Sequence, residues 1–99
     1  MSLRVVFAPE AQDHLVELYR YIARRATPDT AAEYTDAIVS YYEQLVVFPL
    51  SGTARDDIRP GLRTTTYKKR TVIAYAVTED TIAILGVFHG GRDYEAFLR

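Results

Sequence analysis

The residues best suited to chemistry lie in the last third of the chain, between Arg59 and Arg92. Arg59 and Arg63 flank a Pro-Gly turn, and His89-Gly90-Gly91-Arg92 follows a long apolar run. A guanidinium group binds phosphate or carboxylate in a two-pronged geometry, and an imidazole exchanges a proton near neutral pH. The turn and the Gly-Gly break place these groups at the ends of predicted strands. We therefore expect a partner to be bound there.

Each candidate also has a structural interpretation. His89 has only Asp93 as a nearby carboxylate to orient it, which favours a hydrogen-bonding role over acid–base catalysis. Arg63 and Arg92 form a pair of strand-end cations, but Arg92 could equally hold its own C-terminal tail. Tyr94 could stack on a base or donate a proton, or it could cover the edge of the sheet. Gly90-Gly91 allows the chain to turn sharply off the strand.

Tyrosine is abundant, with eight residues, and five of them lie in the two predicted helices. Tyr41 and Tyr42 are consecutive, so both cannot face one core. We expect at least one near the surface and take Tyr42 as a candidate contact for a protein partner. The alternative is a ring that covers the edge of the core with its hydroxyl in water.

The distribution of charge is uneven although the net charge is −1. Residues 1–49 hold four Lys/Arg against seven Asp/Glu, and residues 50–99 hold eight against six. A local basic patch suits an anionic partner, either nucleic acid or an acidic protein segment, while the alternative is a solvated charged turn. The basic residues between positions 55 and 70, which would form this patch, are Arg55, Arg59, Arg63, Lys68, Lys69 and Arg70.

Composition narrows the class of protein. The 99 residues suffice for one compact domain over residues 1–99. The absence of cysteine excludes disulfides and thiolate chemistry, and two histidines make a zinc site improbable, so we expect no metal or cofactor. No apolar run reaches the length of a membrane span, and the N-terminus does not resemble a secretory signal. These features predict a cytoplasmic protein. No phosphate-binding loop, dinucleotide loop or Ser-His-Asp order is present, so the residues alone define no enzyme class.

The first half of the sequence predicts a strand and two helices. Leu3 to Phe7 is β-branched and aromatic, and Pro9 then suits the first turn of a helix. The second helix has two possible N-caps, Thr27 before Pro28 or Thr30 in a capping box with Glu33, and Phe48-Pro49 ends it. The short connection makes the two helices an antiparallel hairpin. The expected core stripes are Ala11, Leu15, Leu18, Ile22 and Ala26, widened by Tyr19 and Ala23, and then Ala31, Tyr34, Ile38, Tyr41 and Leu45.

The second half predicts three strands joined by hairpins. After a polar loop from Leu50 to Gly61, the strands run over residues 62–67, 71–77 and 81–88, and the tail from Tyr94 to Arg99 suits a helical turn. The fold class is therefore α+β, with the order β-α-α-β-β-β. The helical hairpin is expected on one face of a mainly antiparallel sheet.

Taken together, these segments resemble the RelE/ParE superfamily of toxins from type II toxin–antitoxin modules. The likeness covers nearly the whole chain in the right order. Its segments are Phe7-Ala8-Pro9-Glu10-Ala11, Tyr21-Ile22-Ala23, Phe48-Pro49-Leu50-Ser51-Gly52, Arg59-Pro60-Gly61-Leu62-Arg63, Ile73-Ala74-Tyr75 and Val87-Phe88-His89-Gly90-Gly91-Arg92-Asp93.

The resemblance implies one of two activities. RelE-like members cleave mRNA on the ribosome with a cluster of Lys, Arg and Tyr, whereas ParE-like members inhibit or poison DNA gyrase. The Arg-Pro-Gly-Leu-Arg and His-Gly-Gly-Arg-Asp segments are of the ParE type. The basic residues that face RNA in RelE-like proteins have no secure counterpart here, since Lys68 and Lys69 occupy a different turn. A ribonuclease would have to use Arg63, Arg92 and Tyr94, with Lys68 or His89 assisting.

The resemblance also implies partners. A cognate antitoxin, ParD-like or related, would wrap the toxin and neutralise it, and operator DNA would be reached only through the antitoxin. Three hypotheses follow: a gyrase poison that performs no chemistry, a ribosome-dependent ribonuclease, and a non-toxic member that only binds antitoxin. The residues expected to contact target or antitoxin are Arg59, Arg63, Lys68, Lys69, Arg70, His89, Arg92, Tyr94 and Tyr42.

Overall fold

The chain opens with a strand and a long helix. The computed structural model describes residues 3–91 and 93–99, beginning with β1 (Arg4–Phe7) and α1 (Pro9–Arg25). Pro9 stands in the first turn of α1, where its missing N–H breaks no helical hydrogen bond, as predicted. Ala11 and Leu18 are buried. The prediction that Tyr19 widens the buried stripe is wrong, because the ring lies past the edge of the core face and is 37% exposed.

The second helix, α2 (Pro28–Val47), settles the choice between two N-caps. The Thr27 hydroxyl accepts a hydrogen bond from the Thr30 N–H at 3.0 Å, so Thr27 is the N-cap. The helix ends before Phe48, as predicted. Phe48 precedes Pro49, and helical backbone geometry is disfavoured for a residue that precedes proline.

The strands form one five-stranded sheet in the order β1-β5-β4-β3-β2. β3 (Leu62–Tyr67), β4 (Thr71–Val77) and β5 (Thr81–His89) pair antiparallel, as predicted. β1 lies parallel to β5 at one edge. At the other edge is β2 (Thr53–Ala54), which was not predicted because two residues carry no alternation of polarity.

The register of the strands gives the sheet two distinct ends. At one end Tyr67 pairs with Thr71 and Thr71 with His89, and we call this the hairpin end because the β3–β4 turn forms its tip. At the other end β3 begins at Leu62, directly after the segment 48–61 that follows α2. We call this the loop end.

Both faces of the sheet are covered. The helical hairpin covers one face with a first core cluster around Ile38, Ile73, Tyr75 and Ile84.

After β5 the chain turns at Gly90 and Gly91, whose positive φ values of 74° and 79° suit glycine, as predicted. It continues into the short predicted helix α3 (Tyr94–Leu98). The second cluster, on the opposite face, comprises Leu62, Ala74, Phe88 and Leu98.

A histidine covers the part of β5 that β1 does not reach. Pairing with β1 ends where Phe7 meets Ile84. Beyond that point the Val87 N–H donates a hydrogen bond to Nδ1 of His14 on α1 at 3.1 Å. The His14 ring also packs against Phe88 at a centroid distance of 5.0 Å. His14 therefore satisfies a backbone donor that would otherwise be exposed at the sheet edge.

Candidate functional site

The tip of the hairpin end is a basic turn with an unusual backbone. Lys68 and Lys69 both have positive φ, at 51° and 62°, and the Arg70 N–H donates to the Tyr67 carbonyl at 3.2 Å. Two central residues with positive φ define a type I′ turn, which normally uses Asn-Gly. A side chain with a Cβ is disfavoured in this region. The turn therefore keeps two lysines where other residues would be more stable.

Hydrogen bonds fix the aromatic side chains beneath this turn. Thr71 is fully buried, and its hydroxyl bonds both the Tyr34 hydroxyl at 2.8 Å and Nδ1 of His89 at 2.9 Å. The hydroxyl of Tyr41 similarly meets that of Thr65 on β3 at 3.0 Å. Two tyrosines of α2 are thus bonded to the sheet, and this fixes the direction of their rings.

These rings form a continuous strip across α1, α2 and the sheet. Successive centroid distances are 5.8 Å from Tyr21 to His89, 5.9 Å from His89 to Tyr34, 5.6 Å from Tyr34 to Tyr67 and 5.5 Å from Tyr67 to Tyr41. All lie within the range of favourable aromatic pairs. We call these five residues the aromatic strip. Tyr21 at its end is 42% exposed, and the other four are half-buried.

Cations lie over the rings of the strip. The Arg25 guanidinium is 4.9 Å from the centroid of Tyr21, and the Lys68 ammonium is 5.6 Å from that of Tyr67 and 6.0 Å from that of Tyr34. Such contacts are weakly attractive and leave the positive charge uncompensated. Among residues 3–91 and 93–99, no carboxylate oxygen lies within 4.0 Å of the charged groups of Arg25, Lys68, Lys69 or Arg70.

A cleft of about 240 Å³ lies beside the strip, between α1 and the end of β5. It brings together both histidines of the chain with a carboxylate and a phenol. The lining residues are His14, Glu17, Leu18, Tyr21, Val87, His89 and Gly90.

The outer side of the helical hairpin carries a wide, mostly apolar groove of about 360 Å³. Val16, Tyr19 and Val39 lie in it and are 48%, 37% and 46% exposed. Arg20 and Asp36 provide charges at its rim. The complete lining is Leu15, Val16, Tyr19, Arg20, Thr35, Asp36 and Val39.

At the loop end, the strand-end arginine serves the backbone. Arg63 donates hydrogen bonds to the carbonyls of Leu50 and Gly52 at 3.1 and 2.7 Å. The buried Tyr75 hydroxyl donates to the Pro49 carbonyl at 3.0 Å and accepts the Gly52 N–H at 2.9 Å. These bonds hold the segment that leaves α2 against the sheet.

Tyr94 belongs to an ionic network centred on Arg55. The guanidinium donates to the Tyr94 hydroxyl at 2.8 Å, lies 3.0 Å from Asp57 and reaches Glu95 at 3.5 Å. The hydrogen bond from Arg55 holds the pKa of Asp57 below its ordinary value, and the same contact raises the pKa of the guanidinium. Sequence reasoning placed Arg55 in the basic patch but missed this network, because nothing in the spacing connects Arg55 with residues 39 and 40 positions later.

The strand-end residues expected to act together are separated by the sheet. Arg63 pairs with Tyr75, whose side chain faces the helical hairpin, and so points to that face. Tyr94 packs with the cluster on the opposite face. Arg92, the third residue of that group, lies outside the described residues. Arg59 is exposed in the turn before β3, on the loop side.

The prediction that Tyr42 offers a surface contact is wrong. Its side chain is 1% exposed within the helical-face core, where its ring packs edge-on against Phe7 at 5.1 Å. Burial raises the pKa of Tyr42 above its ordinary range. The helical spacing of Ala31, Ile38 and Leu45 contains the signal, since Tyr42 falls on the same face. Tyr41 instead lies at the border of the core.

Neither a metal site nor a membrane span emerges from the part of the chain that the structure describes. No three His, Cys, Asp or Glu side chains in residues 3–91 and 93–99 are grouped to hold a metal ion. None of the helices in those residues has the length and apolar character needed to cross a bilayer.

With this geometry in place, comparison with known proteins identifies the class. The α+β fold, together with the matches reported below, identifies a toxin of the RelE/ParE superfamily. The family model described as "ParE toxin of type II toxin-antitoxin system, parDE" matches residues 5–94, and the chain therefore belongs to this family. It is a toxin of a type II toxin–antitoxin module.

Two curated relatives align with nearly the whole chain. Toxin ParE1 of Mycobacterium tuberculosis (strain ATCC 25618 / H37Rv) is 30% identical over 95 residues, covering 96% of this chain and 97% of the relative. Toxin ParE3 of Caulobacter vibrioides (strain ATCC 19089 / CIP 103742 / CB 15) is 28% identical over 95 residues, covering 96% and 94% respectively.

Solved structures share the fold. A chain of the chromosomal ParDE toxin–antitoxin system from P. aeruginosa superposes with a TM-score of 0.78 at 21% identity, covering 90% of this chain and 97% of that one. A chain of the RelBE2 toxin–antitoxin complex from Mycobacterium tuberculosis gives 0.63 at 20% identity, covering 90% and 99%.

Proposed function

We propose that this toxin acts in the cytoplasm by poisoning DNA gyrase and is neutralised by a cognate ParD-like antitoxin. The observation that carries the proposal is the separation of Arg63 and Tyr94 onto opposite faces of the sheet. Phosphodiester cleavage requires its catalytic groups within hydrogen-bond reach of one reacting site. Arg63 and Tyr94 are instead bonded to the loop backbone and to Arg55. The ParE family, which the resemblance associates with gyrase, supports a toxin that works by binding.

The hairpin end supplies the surface for such binding. Its cations are not neutralised by carboxylates among the described residues, and its rings combine apolar area with fixed orientation. Exposed Tyr together with Arg is typical of the residues that dominate protein interfaces. The target-contacting residues we propose are therefore Tyr21, Arg25, Lys68, Lys69, Arg70 and His89.

The groove between α1 and α2 suits the antitoxin. Its floor is apolar, and the exposed side chains of Val16 and Val39 lie in the groove between the two helices. A partner segment that presents one apolar face, folding as it binds, would cover these side chains. The structural neighbours are toxin–antitoxin systems, which supports an antitoxin as the occupant. Operator DNA would then be contacted by the antitoxin and not by this chain.

The target is tested with purified toxin, gyrase, supercoiled plasmid and ATP, followed by protease treatment. We expect dose-dependent linear DNA that disappears when the antitoxin is added first. A folded toxin that yields no linear DNA would contradict gyrase poisoning. Cleavage of mRNA in a ribosome assay would then favour the ribonuclease hypothesis, and binding of antitoxin without either activity would favour the non-toxic one.

The groove is tested separately with Val39→Lys, which places a charge on its apolar floor. We expect antitoxin binding to weaken at least 10-fold while plasmid linearisation persists. Ser40→Lys is the matched control, since it adds the same charge one residue further along α2 at an exposed position. Equal loss of antitoxin binding in both variants would remove the groove from the interface.

A further inference from the structure

We propose that the aromatic strip and its flanking cations bind single-stranded nucleic acid. The strip runs from Tyr21 on α1 to Tyr41 on α2 and passes over the end of the sheet. Flat rings beside uncompensated cations are the two features that single-strand binding needs, because bases stack on the rings and phosphates pair with the charges. The inference does not depend on gyrase as the target, since the binding can be measured with the toxin and an oligonucleotide alone.

The pairing of charges differs between the two ends of the sheet. The side-chain ion pairs between described residues are formed by Arg55 and Arg99 with Asp57 and Glu95. The cations at the hairpin end lie instead over tyrosine rings or project from the turn. A phosphate could approach them without displacing a carboxylate. The excess of positive charge is local to this end of the sheet, since the chain as a whole has a net charge of −1.

The rings of the strip are held in place before any ligand arrives. Tyr34 is fixed by its bond to Thr71, and Tyr41 by its bond to Thr65. Tyr67 lies between these two rings, at 5.6 and 5.5 Å. A platform that is already ordered loses little side-chain entropy when a base stacks on it.

The backbone conformation of the basic turn also supports a binding role for its two lysines. Lys68 and Lys69 both adopt positive φ, a conformation in which Asn and Gly are favoured over lysine. Strained residues of this kind concentrate where the side chain has a task. Here the turn places two lysines at the tip of the hairpin, and the Lys68 ammonium lies over the rings of Tyr34 and Tyr67.

A single strand fits this surface better than the other polyanions. An acidic peptide offers carboxylates but no flat faces for the rings. Duplex DNA offers phosphates, but its bases are stacked inside the helix and remain out of reach of Tyr21, the most exposed ring of the strip. Only an unpaired strand uses the cations and the rings together.

The test measures fluorescence anisotropy with labelled 12-mers of deoxyuridine and of uridine, which differ only in the 2′-hydroxyl, over a salt series. We expect both to bind, with affinity falling as salt rises. For a single strand, the plot of log affinity against log salt concentration has a slope of about −0.7 for each phosphate contacted. Four cations therefore give a slope no steeper than about −3. Preference for the uridine strand would assign a role to the 2′-hydroxyl, and equal binding would assign recognition to phosphate and base; both support the proposal.

Two pairs of variants separate charge from stacking. Lys68→Gln with Lys69→Gln should reduce the salt slope by about 1.4, whereas Arg4→Gln with Arg99→Gln, which removes the same charge elsewhere, should leave it unchanged. Tyr21→Leu should weaken binding between about 5- and 100-fold through lost stacking. Phe48→Leu is its control, an exposed ring at the loop end. Thermal melts confirm that each variant is folded.

Three outcomes would overturn the proposal. Equal affinity for polyglutamate would show an acidic-peptide surface, and a preference for duplex over single strand would leave the rings without a role. Failure of the wild-type toxin to bind either 12-mer at low salt would exclude the site. If the wild-type toxin binds the 12-mers but does not poison gyrase, the nucleic-acid site stands and only the proposed function is overturned.

Discussion

The two ends of this sheet use the same kinds of residue for opposite purposes. At the loop end Arg55 and Arg63 are bonded to carboxylates, a phenol and backbone carbonyls. At the hairpin end Lys68 and Arg25 lie over rings and project into solvent. A cation whose donors are satisfied within the chain stabilises the fold, and one whose charge is uncompensated is available to a partner. Position at a strand end does not by itself distinguish the two.

The difference lies in what surrounds each group. The loop end must fix the segment 48–61, which has little secondary structure of its own, so its polar side chains are used for hydrogen bonds to backbone. The hairpin end is a tight turn whose backbone bonds are already made by the β-ladder. The side chains of Lys68 and Lys69 are therefore not needed for hydrogen bonds to the backbone.

The largest expected effect lies at the loop end, in the substitution Tyr75→Phe. The buried hydroxyl joins Pro49 and Gly52, and its removal leaves a buried N–H without a partner. We expect a loss of about 2–3 kcal/mol in the free energy of unfolding, measured by urea denaturation. Tyr34→Phe at the hairpin end is the control and should lose only about 1 kcal/mol, because Thr71 keeps its bond to His89. Equal losses would contradict the contrast between the two ends.

A smaller effect of opposite sign is expected in the basic turn. Lys68→Asn with Lys69→Gly supplies residues that favour positive φ, so the free energy of unfolding should rise by about 1 kcal/mol. The same double variant should bind the oligonucleotide more weakly, because two of the four cations are removed. Lys68→Gln with Lys69→Gln should bind the oligonucleotide as weakly as the Asn-Gly variant but without gaining stability, and the comparison separates strain from charge. A destabilised Asn-Gly variant would show that the lysines themselves hold the turn.

Tyr42→Phe sharpens the comparison by testing a tyrosine that belongs to neither end. Its buried hydroxyl has no hydrogen-bond partner among the described residues, so removing the hydroxyl should leave the free energy of unfolding within about 1 kcal/mol of wild type, or raise it. Chemical denaturation provides the measurement. A loss above 2 kcal/mol would show that the hydroxyl is bonded in solution.

The smallest effect concerns the pH dependence of the loop end. Because Arg55 lowers the pKa of Asp57 in the folded chain, the carboxylate stabilises the fold above its unfolded pKa, about 3.9, and this contribution is lost as the pH falls through the lower, folded value. Asp57→Asn should therefore narrow the gap in melting temperature between pH 6 and pH 3. An unchanged gap would show that the pair does not contribute in solution.

The order of the elements could be predicted because local signals determine it. Pro9 and Pro28 mark helix starts, Phe48-Pro49 marks a helix end, and Gly90-Gly91 marks the exit from β5. β2 escaped prediction because its two residues form a strand only through their pairing with Arg63 and Thr64.

The site was less predictable because its contacts join distant parts of the sequence. Lys68, Lys69, Arg70 and His89 were all candidates from the sequence, and the register of the strands brings them to one end of the sheet. Tyr21 and Arg25 were not, since only the packing of α1 brings them to His89. Arg63 and Tyr94 looked alike as strand-end residues until the alternation of side chains placed them on different faces.

The most direct measurement compares plasmid linearisation by gyrase in the presence of wild-type toxin, Lys68→Gln/Lys69→Gln and Arg55→Gln, each at equal concentrations of folded protein. We expect the lysine variant to melt like wild type and to be at least 10-fold less potent. Arg55→Gln should melt at a lower temperature and keep its potency. Full potency in the lysine variant, or loss of potency in Arg55→Gln at equal folded concentration, would contradict the assignment of function to the hairpin end.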